Sequence, residues 1–233
     1  MDIYLANLCQ SSYSNSNINN SIFISDKETD CQCYIKILNK DVFITFRGTT
    51  TIEDWKHNID VKTVNLFKDL KVHKGFYEQY MSVRGRIYSF IPNILNNNIY
   101  ISGHSLGGAL AYVCAVDIHS TSKNKNIKVF TIGSPRPGNN VFVDYFNKNI
   151  KESIRYKNKG DLITKLPLKS EFKHVHSAVC LNNGILVKDK MLKIFVIRLA
   201  DTLCACMSNI SSLKDKHSVD LYIDNIKKYK KNL

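Results

Sequence analysis

The sequence predicts an α/β fold, a mostly parallel central sheet with helices on both faces, and three observations carry that prediction. Short β-branched apolar runs alternate with segments of helical apolar spacing along most of the chain. Early in the chain two such runs flank Asn39-Lys40-Asp41, which reads as an antiparallel hairpin joined to an otherwise parallel sheet. In the middle, Ile99-Tyr100-Ile101 leads into Gly103-His104-Ser105-Leu106-Gly107. Ala109, Leu110, Ala111, Val113 and Ala115 follow at once, so a strand, a tight turn and a small-residue helix succeed one another.

Residues 2–13 predict a short helix, and residues 14–21 a polar Asn/Ser loop. Residues 33–38 and 42–46 are the hairpin strands. Phe76, Tyr80, Val83, Ile87, Ile91 and Leu95 recur at helical spacing, so residues 72–95 read as one helix that frays at Pro92. Residues 99–101 and 106–118 are the strand and helix on either side of the tight turn. Residues 129–132 predict a buried strand, broken by Gly133-Ser134-Pro135-Arg136-Pro137-Gly138. A short helix begins over 141–146, and residues 153–156 return to the sheet ahead of a loop over 158–167. Asn182-Asn183-Gly184, between apolar residues 179–181 and 185–187, predicts a second hairpin, and residues 218–229 a final helix.

A chain of 233 residues, 44% hydrophobic with a mean hydropathy of −0.21, is expected to form one soluble domain over 1–233. The opening Met1-Asp2-Ile3-Tyr4-Leu5 lacks a basic stretch followed by an apolar core. No secretory signal is therefore evident, and a cytoplasmic or membrane-peripheral location is expected. The seven cysteines then read mostly as reduced thiols. Cys31-x-Cys33 and Cys204-x-Cys206 fall one residue short of a zinc-knuckle spacing, and neither a metal nor a cofactor is expected. A net charge of +13 and a pI near 9.4 favour acidic partners, here peripheral contact with an anionic membrane surface. The densest cluster, Lys227-Lys228-Tyr229-Lys230-Lys231, has no aromatic-rich recognition motif beside it, so no nucleic-acid partner is expected. Residues 191–207 are apolar, but Arg198 and Asp201 argue for a buried helix or an interfacial surface rather than a membrane span.

A serine on a strand-to-helix turn is presented to solvent with a backbone that crowds its neighbours, and Gly103 and Gly107 remove the Cβ atoms that would clash. Its hydroxyl is a weak nucleophile near neutral pH and needs a base, which needs an orienting acid. In α/β-hydrolases the chain order is serine, acid, histidine. Asp161 fits the acid, since it follows the strand over 153–156 at its carboxyl end, where catalytic groups of open α/β sheets gather. Asp144 lies on a predicted helix and reads as a surface charge. His57, His73 and His104 precede the serine, and His119 lies far along the next helix. His217, in a polar loop ahead of the last helix, is the expected base, with His176 and His174 as alternatives. The oxyanion of an acyl-transfer intermediate needs donors. The backbone N–H of Leu106 is one, and Thr49, in Phe46-Arg47-Gly48-Thr49-Thr50-Thr51 after a buried strand, offers an N–H and a hydroxyl.

Together these residues resemble the class 3 lipases, the family of fungal triacylglycerol lipases and their plant and protist relatives. Phe46-Arg47-Gly48-Thr49 with Asp54-Trp55, His73-Lys74-Gly75-Phe76, the run Gly103 to Leu110, and Gly133-Ser134-Pro135-Arg136 with Gly138-Asn139 stand in family order. Asp161 with Leu166-Pro167 and His217 with Tyr222 continue it, so the resemblance spans about residues 42–222. It implies an α/β-hydrolase that cleaves lipid or other carboxylic esters. It further implies Ser105, Asp161 and His217 as triad, Thr49 and Leu106 as oxyanion hole, and the segment from Ile52 to Asp60 as lid. That segment is short and charged, which predicts only a modest rise in rate at an interface. Phospholipids and soluble esters are alternative substrates on the same triad. A catalytically idle lipid-binding module is the non-enzymatic alternative.

Overall fold

The computed structural model describes residues 1–14, 18–49, 62–91, 96–168, 170–187 and 215–233. The chain opens with helix α1 (Asp2–Ser11) and strands β1 (Ile22–Ser25), β2 (Gln32–Leu38) and β3 (Asp41–Phe46). A separate two-stranded ribbon, β4 (Thr63–Phe67) and β5 (Leu70–His73), leads into α2 (Lys74–Phe90). Strand β6 (Asn98–His104), helix α3 (Leu106–Ser122), strand β7 (Ile127–Ile132), helix α4 (Asn140–Asn149) and strand β8 (Glu152–Asn158) follow as alternating units. The chain finishes with β9 (Val179–Asn182), β10 (Ile185–Leu186) and α5 (Val219–Lys231).

Eight of these strands form one sheet in the order β1-β2-β3-β6-β7-β8-β9-β10. The pairs from β3 to β9 are parallel, and the hairpins at each edge are antiparallel. The predicted α/β architecture is therefore the observed one. Period-two alternation divides the sheet between two cores. Val42, Ile44, Ile99, Ile101 and Val129 face α2, α3 and α4, while Phe43, Tyr100, Phe130 and Ile132 face α1 and α5. Phe43 and Tyr100 stack at 4.8 Å on that second face. Helix α3 is buried along its length from Leu106 to His119. A helix enclosed on every side needs small residues where it lies against the sheet, and Gly107, Gly108, Ala109, Ala111 and Ala115 supply them.

Three expectations are corrected. Residues 72 and 73 belong to β5, and the helix starts at Lys74. Val72 is buried in the same core as Phe76 and Tyr80, so the helical spacing ran unbroken across the junction. The boundary is set by His73, whose Nδ1 accepts the Gly75 N–H at 3.1 Å as an N-cap. Strand β1 and most of the β4–β5 ribbon lie in stretches to which the sequence assigned no element. β1 is only four residues long, and the ribbon carries a register shift between Asn65 and Phe67, so neither shows clean alternation. Helix α3 also runs to Ser122, past the expected residue 118. The segments from Ile52 to Asp60 and over 191–207, and the helix end over 92–95, lie outside the described residues.

Cys31 and Cys33 are free thiols in the core, and burial pushes the Cys31 thiol up to about 12. Cys204 and Cys206 lie outside the described residues.

Candidate active site

Strand β6 ends at His104, and Ser105 turns the chain with φ 57° and ψ −131° before α3 begins at Leu106. A non-glycine residue at positive φ is strained, and here the strain presents a serine between a strand end and a helix N-terminus. Two contacts hold the turn. The Ser105 N–H donates to the Ile132 carbonyl at 3.0 Å, and the Ser105 carbonyl accepts the Gly108 N–H at 2.9 Å. A Cβ on Gly103 would overlap the Gly107 carbonyl, so this strand and helix approach as closely as they do only with glycine at the crossing. As first residue of α3, Leu106 has an N–H with no intrahelical partner, aimed where the helix dipole is positive.

Asp161 sits beyond the carboxyl end of β8 and is 2% exposed. Its Oδ1 accepts the Ile163 N–H at 3.0 Å, which fixes the carboxylate plane. Its Oδ2 accepts the Tyr222 hydroxyl at 2.6 Å and is 2.8 Å from Nδ1 of His217. Burial and the Asp161 charge push the Tyr222 phenol well above its ordinary range, so it remains a donor. A carboxylate accepts, so Nδ1 of His217 carries the proton. Nε2 of His217 is buried and has no hydrogen-bond partner among the described residues. An unprotonated, unpartnered imidazole nitrogen is a base waiting for a proton. The His217 ring lies 4.7 Å from that of His104, the residue before the serine.

The helical turn that carries His217, read as a polar loop from the sequence, is held by buried polar side chains. The Asn158 side chain donates to the Lys216 carbonyl at 3.2 Å and accepts from Asn225 at 2.8 Å, while its N–H donates to the Tyr222 hydroxyl at 2.9 Å. Asn158 is 1% exposed and Asn225 3%. A buried asparagine in a strand end and another on the apolar face of α5 were the readable clues, because buried amides require partners.

The alternative histidines are bonded elsewhere and make no contact with Asp161. Nε2 of His174 donates to the Thr164 carbonyl at 2.5 Å. His176 donates from Nδ1 to the Ser177 carbonyl at 2.9 Å and accepts at Nε2 from the Ser153 hydroxyl at 2.7 Å. Burial lowers the pKa of both, with the cation of Arg155 adding to the effect. Asp144 is exposed on α4. Thr49 and Leu106 line one cavity of about 260 Å³, together with Thr29, Asp30, Arg47, Gly48 and Gln79. A cavity of about 300 Å³ at the opposite ends of the strands, lined by Asp2, Tyr100, Lys128, Glu152 and Ser153 among others, holds none of the sequence-predicted site residues.

A strained serine at a strand-to-helix turn, followed in chain order by a buried aspartate and a histidine bonded to it, is an arrangement general to α/β-hydrolases, and residues 43–171 match the model of Lipase (class 3). The chain belongs to the class 3 lipase family. The matched span holds Thr49, Ser105, Leu106 and Asp161 and ends ahead of His217. A lipase of Rhizomucor miehei is 29% identical over 140 residues, 55% of this chain and 38% of that protein. A secreted mono- and diacylglycerol lipase of Fusarium solani is 27% identical over 177 residues, 73% of this chain and 52% of that protein. A chloroplastic phospholipase A(1) of Arabidopsis thaliana is 31% identical over 151 residues, 55% of this chain and 34% of that protein. The class 3 lipase chain thus spans between a third and about half of these relatives. The solved triacylglyceride lipase of Rhizomucor miehei superposes with a TM-score of 0.69 at 23% identity, over 76% of this chain and 78% of that one. The fold is that of the α/β-hydrolases.

Proposed function

We propose that this chain hydrolyses carboxylic esters of lipids through an acyl-enzyme on Ser105, with His217 as base, Asp161 as its orienting acid, and Leu106 and Thr49 as oxyanion donors. One observation carries the reading: His217 is protonated at Nδ1 by its bond to Asp161 and keeps a buried, unpartnered Nε2 in a helical turn, where a polar loop was expected, packed against the residue before Ser105.

In the acylation step Nε2 of His217 takes the Ser105 Oγ proton as Oγ bonds to the ester carbon. The carbonyl π pair moves onto oxygen, between the Leu106 and Thr49 donors. The carbonyl re-forms as the bond to the alkoxy oxygen breaks, and that oxygen takes the proton from His217 and leaves as the alcohol. Water then gives its proton to His217 and attacks the acyl carbon. Collapse returns the proton to Ser105 and releases the carboxylic acid.

The activities in the relatives' names support a lipid ester as substrate, and they include both an acylglycerol lipase and a phospholipase A(1). The +13 charge supports an anionic lipid surface as the place of work. No described helix is long and apolar enough to cross a membrane. The reading is tested with a fluorophosphonate, which should label the wild-type chain and fail to label Ser105→Ala, followed by esters differing in head group and chain length. Labelling that persists in the variant overturns the assignment of the nucleophile. Rates on ester dispersed in anionic vesicles should exceed those in neutral ones, and added salt should narrow the gap. Equal rates at low salt overturn the surface preference.

A further inference from the structure

His104 lies inside the Gly-x-Ser-x-Gly turn, is 6% exposed, and has both ring nitrogens bonded. Nε2 is 2.8 Å from the backbone carbonyl of His217, and Nδ1 is 2.7 Å from the Tyr13 hydroxyl. A carbonyl only accepts, so Nε2 carries the proton. A neutral imidazole with its proton there offers Nδ1 as an acceptor, and the Tyr13 hydroxyl must donate to it. Burial, with the neighbouring His217 adding to it, lowers the His104 pKa well below 6.5, and burial raises that of Tyr13. Each group is therefore held in the protonation state that the chain of bonds requires.

Tyr13 lies just past α1, far in sequence from every element of the site, and yet it touches two strand ends at once. The Tyr13 hydroxyl also lies directly against Gly48, where a Cβ would overlap its oxygen. Gly48 directly precedes Thr49. The Arg47 guanidinium lies 5.7 Å from the centre of the Tyr13 ring.

We propose that Tyr13 is a positioning residue: through His104 it anchors the backbone carbonyl of His217, so that the His217 turn and the serine turn are tied to one hydroxyl that packs against the oxyanion strand end. The proposal rests on the reading of His217 as the base. Its energetic reason is that a buried imidazole deprived of one partner changes tautomer or moves, and either change releases the His217 carbonyl. The His217 ring is then oriented by Asp161 alone. Substrate binding is untouched, because no atom of Tyr13 or His104 is required to meet the ester.

The test measures kcat and KM for a soluble short-chain ester, fluorophosphonate labelling rate, and melting temperature for Tyr13→Phe, His104→Leu, His104→Gln and the double variant Tyr13→Phe/His104→Leu. Tyr13→Phe should lower kcat and the labelling rate about tenfold, with KM unchanged. His104→Leu should lose at least as much, and Tyr13→Phe should add nothing in that background, since the route is already cut. His104→Gln, whose amide can donate to the His217 carbonyl and accept from Tyr13, should recover most of the rate. An unchanged kcat in a folded Tyr13→Phe, a rise in KM alone, or independent losses in the double variant each overturn the proposal. If Tyr13→Phe does not fold, the contrast between the glutamine and leucine variants at His104 decides, and equal losses in both overturn it. Absence of labelling in the wild-type chain would instead strike the reading of the triad itself.

Discussion

The serine turn and the Asp161–His217 cluster are built in opposite ways. The turn is contiguous, since residues 98–122 contain the strand, the strained serine, the crossing glycines and the helix that follows. The cluster is assembled from distant stretches. His217 and Asp161 are 56 residues apart, Tyr222 and Asp161 61, Asn158 and Asn225 67, and His104 bonds a carbonyl 113 residues away. A tight turn is a local demand on φ and ψ that a few residues can state. A base that must lie at the end of a strand is a demand on the order of strands in the sheet, and every intervening element takes part in meeting it.

Removing the proposed nucleophile breaks the local half and leaves the distant half intact. Ser105→Ala should lower kcat by about 10⁴–10⁶, because nucleophile and base act as a unit, while circular dichroism and the melting temperature stay near wild type. Substantial turnover by the purified variant would show that the turn is not where the chemistry occurs. Breaking the distant half should cost almost as much. Asp161→Asn keeps the shape of the side chain, but its amide can donate, which lets His217 adopt the wrong tautomer, and kcat should fall on the order of 10³–10⁴. A loss of melting temperature is expected here as well, since Tyr222 and Ile163 share the same carboxylate. A variant with unchanged kcat would assign Asp161 to the fold alone.

The region between the two halves is sharpened by Thr49→Val, which deletes the hydroxyl and keeps the backbone N–H. Acylation should slow by roughly 10²–10³ with little change in KM. A rise in KM with kcat held would make Thr49 a wall of the cavity it shares with Leu106.

The smallest effect concerns stability. His104 and His174 are pushed well below 6.5, chiefly by burial, so the folded chain leaves them neutral where the unfolded chain binds protons. Stability is fully present above about pH 6.5 and is lost as pH falls toward the folded pKa values, by up to about 1.4 kcal/mol per pH unit for each group. His104→Gln should remove one of these slopes. Its stability deficit against wild type, read from urea midpoints, should therefore narrow between pH 6.5 and pH 5. Parallel curves would show that His104 does not stay neutral in the folded state.

The sequence by itself determined the alternation of strands and helices, the hairpins at both edges of the sheet, and the serine turn. Those features are written in local periodicity, in Asn-Gly and in glycine spacing, all of which act over a few residues. Chain order was enough to prefer Asp161 and to narrow the base to three histidines, because loops at the carboxyl ends of strands gather at one edge. Tertiary structure separates the three by their partners. His174 and His176 are bonded to Thr164, Ser177 and Ser153, and only His217 reaches Asp161. It also decided where α2 begins, since Val72 and Phe76 share one core across a strand–helix junction that an apolar pattern cannot register. The ties of Tyr13, Asn158 and Tyr222 were invisible for the same physical reason. A hydrogen bond between residues far apart leaves no period in the sequence, only a polar side chain that must be buried somewhere and find its partner there.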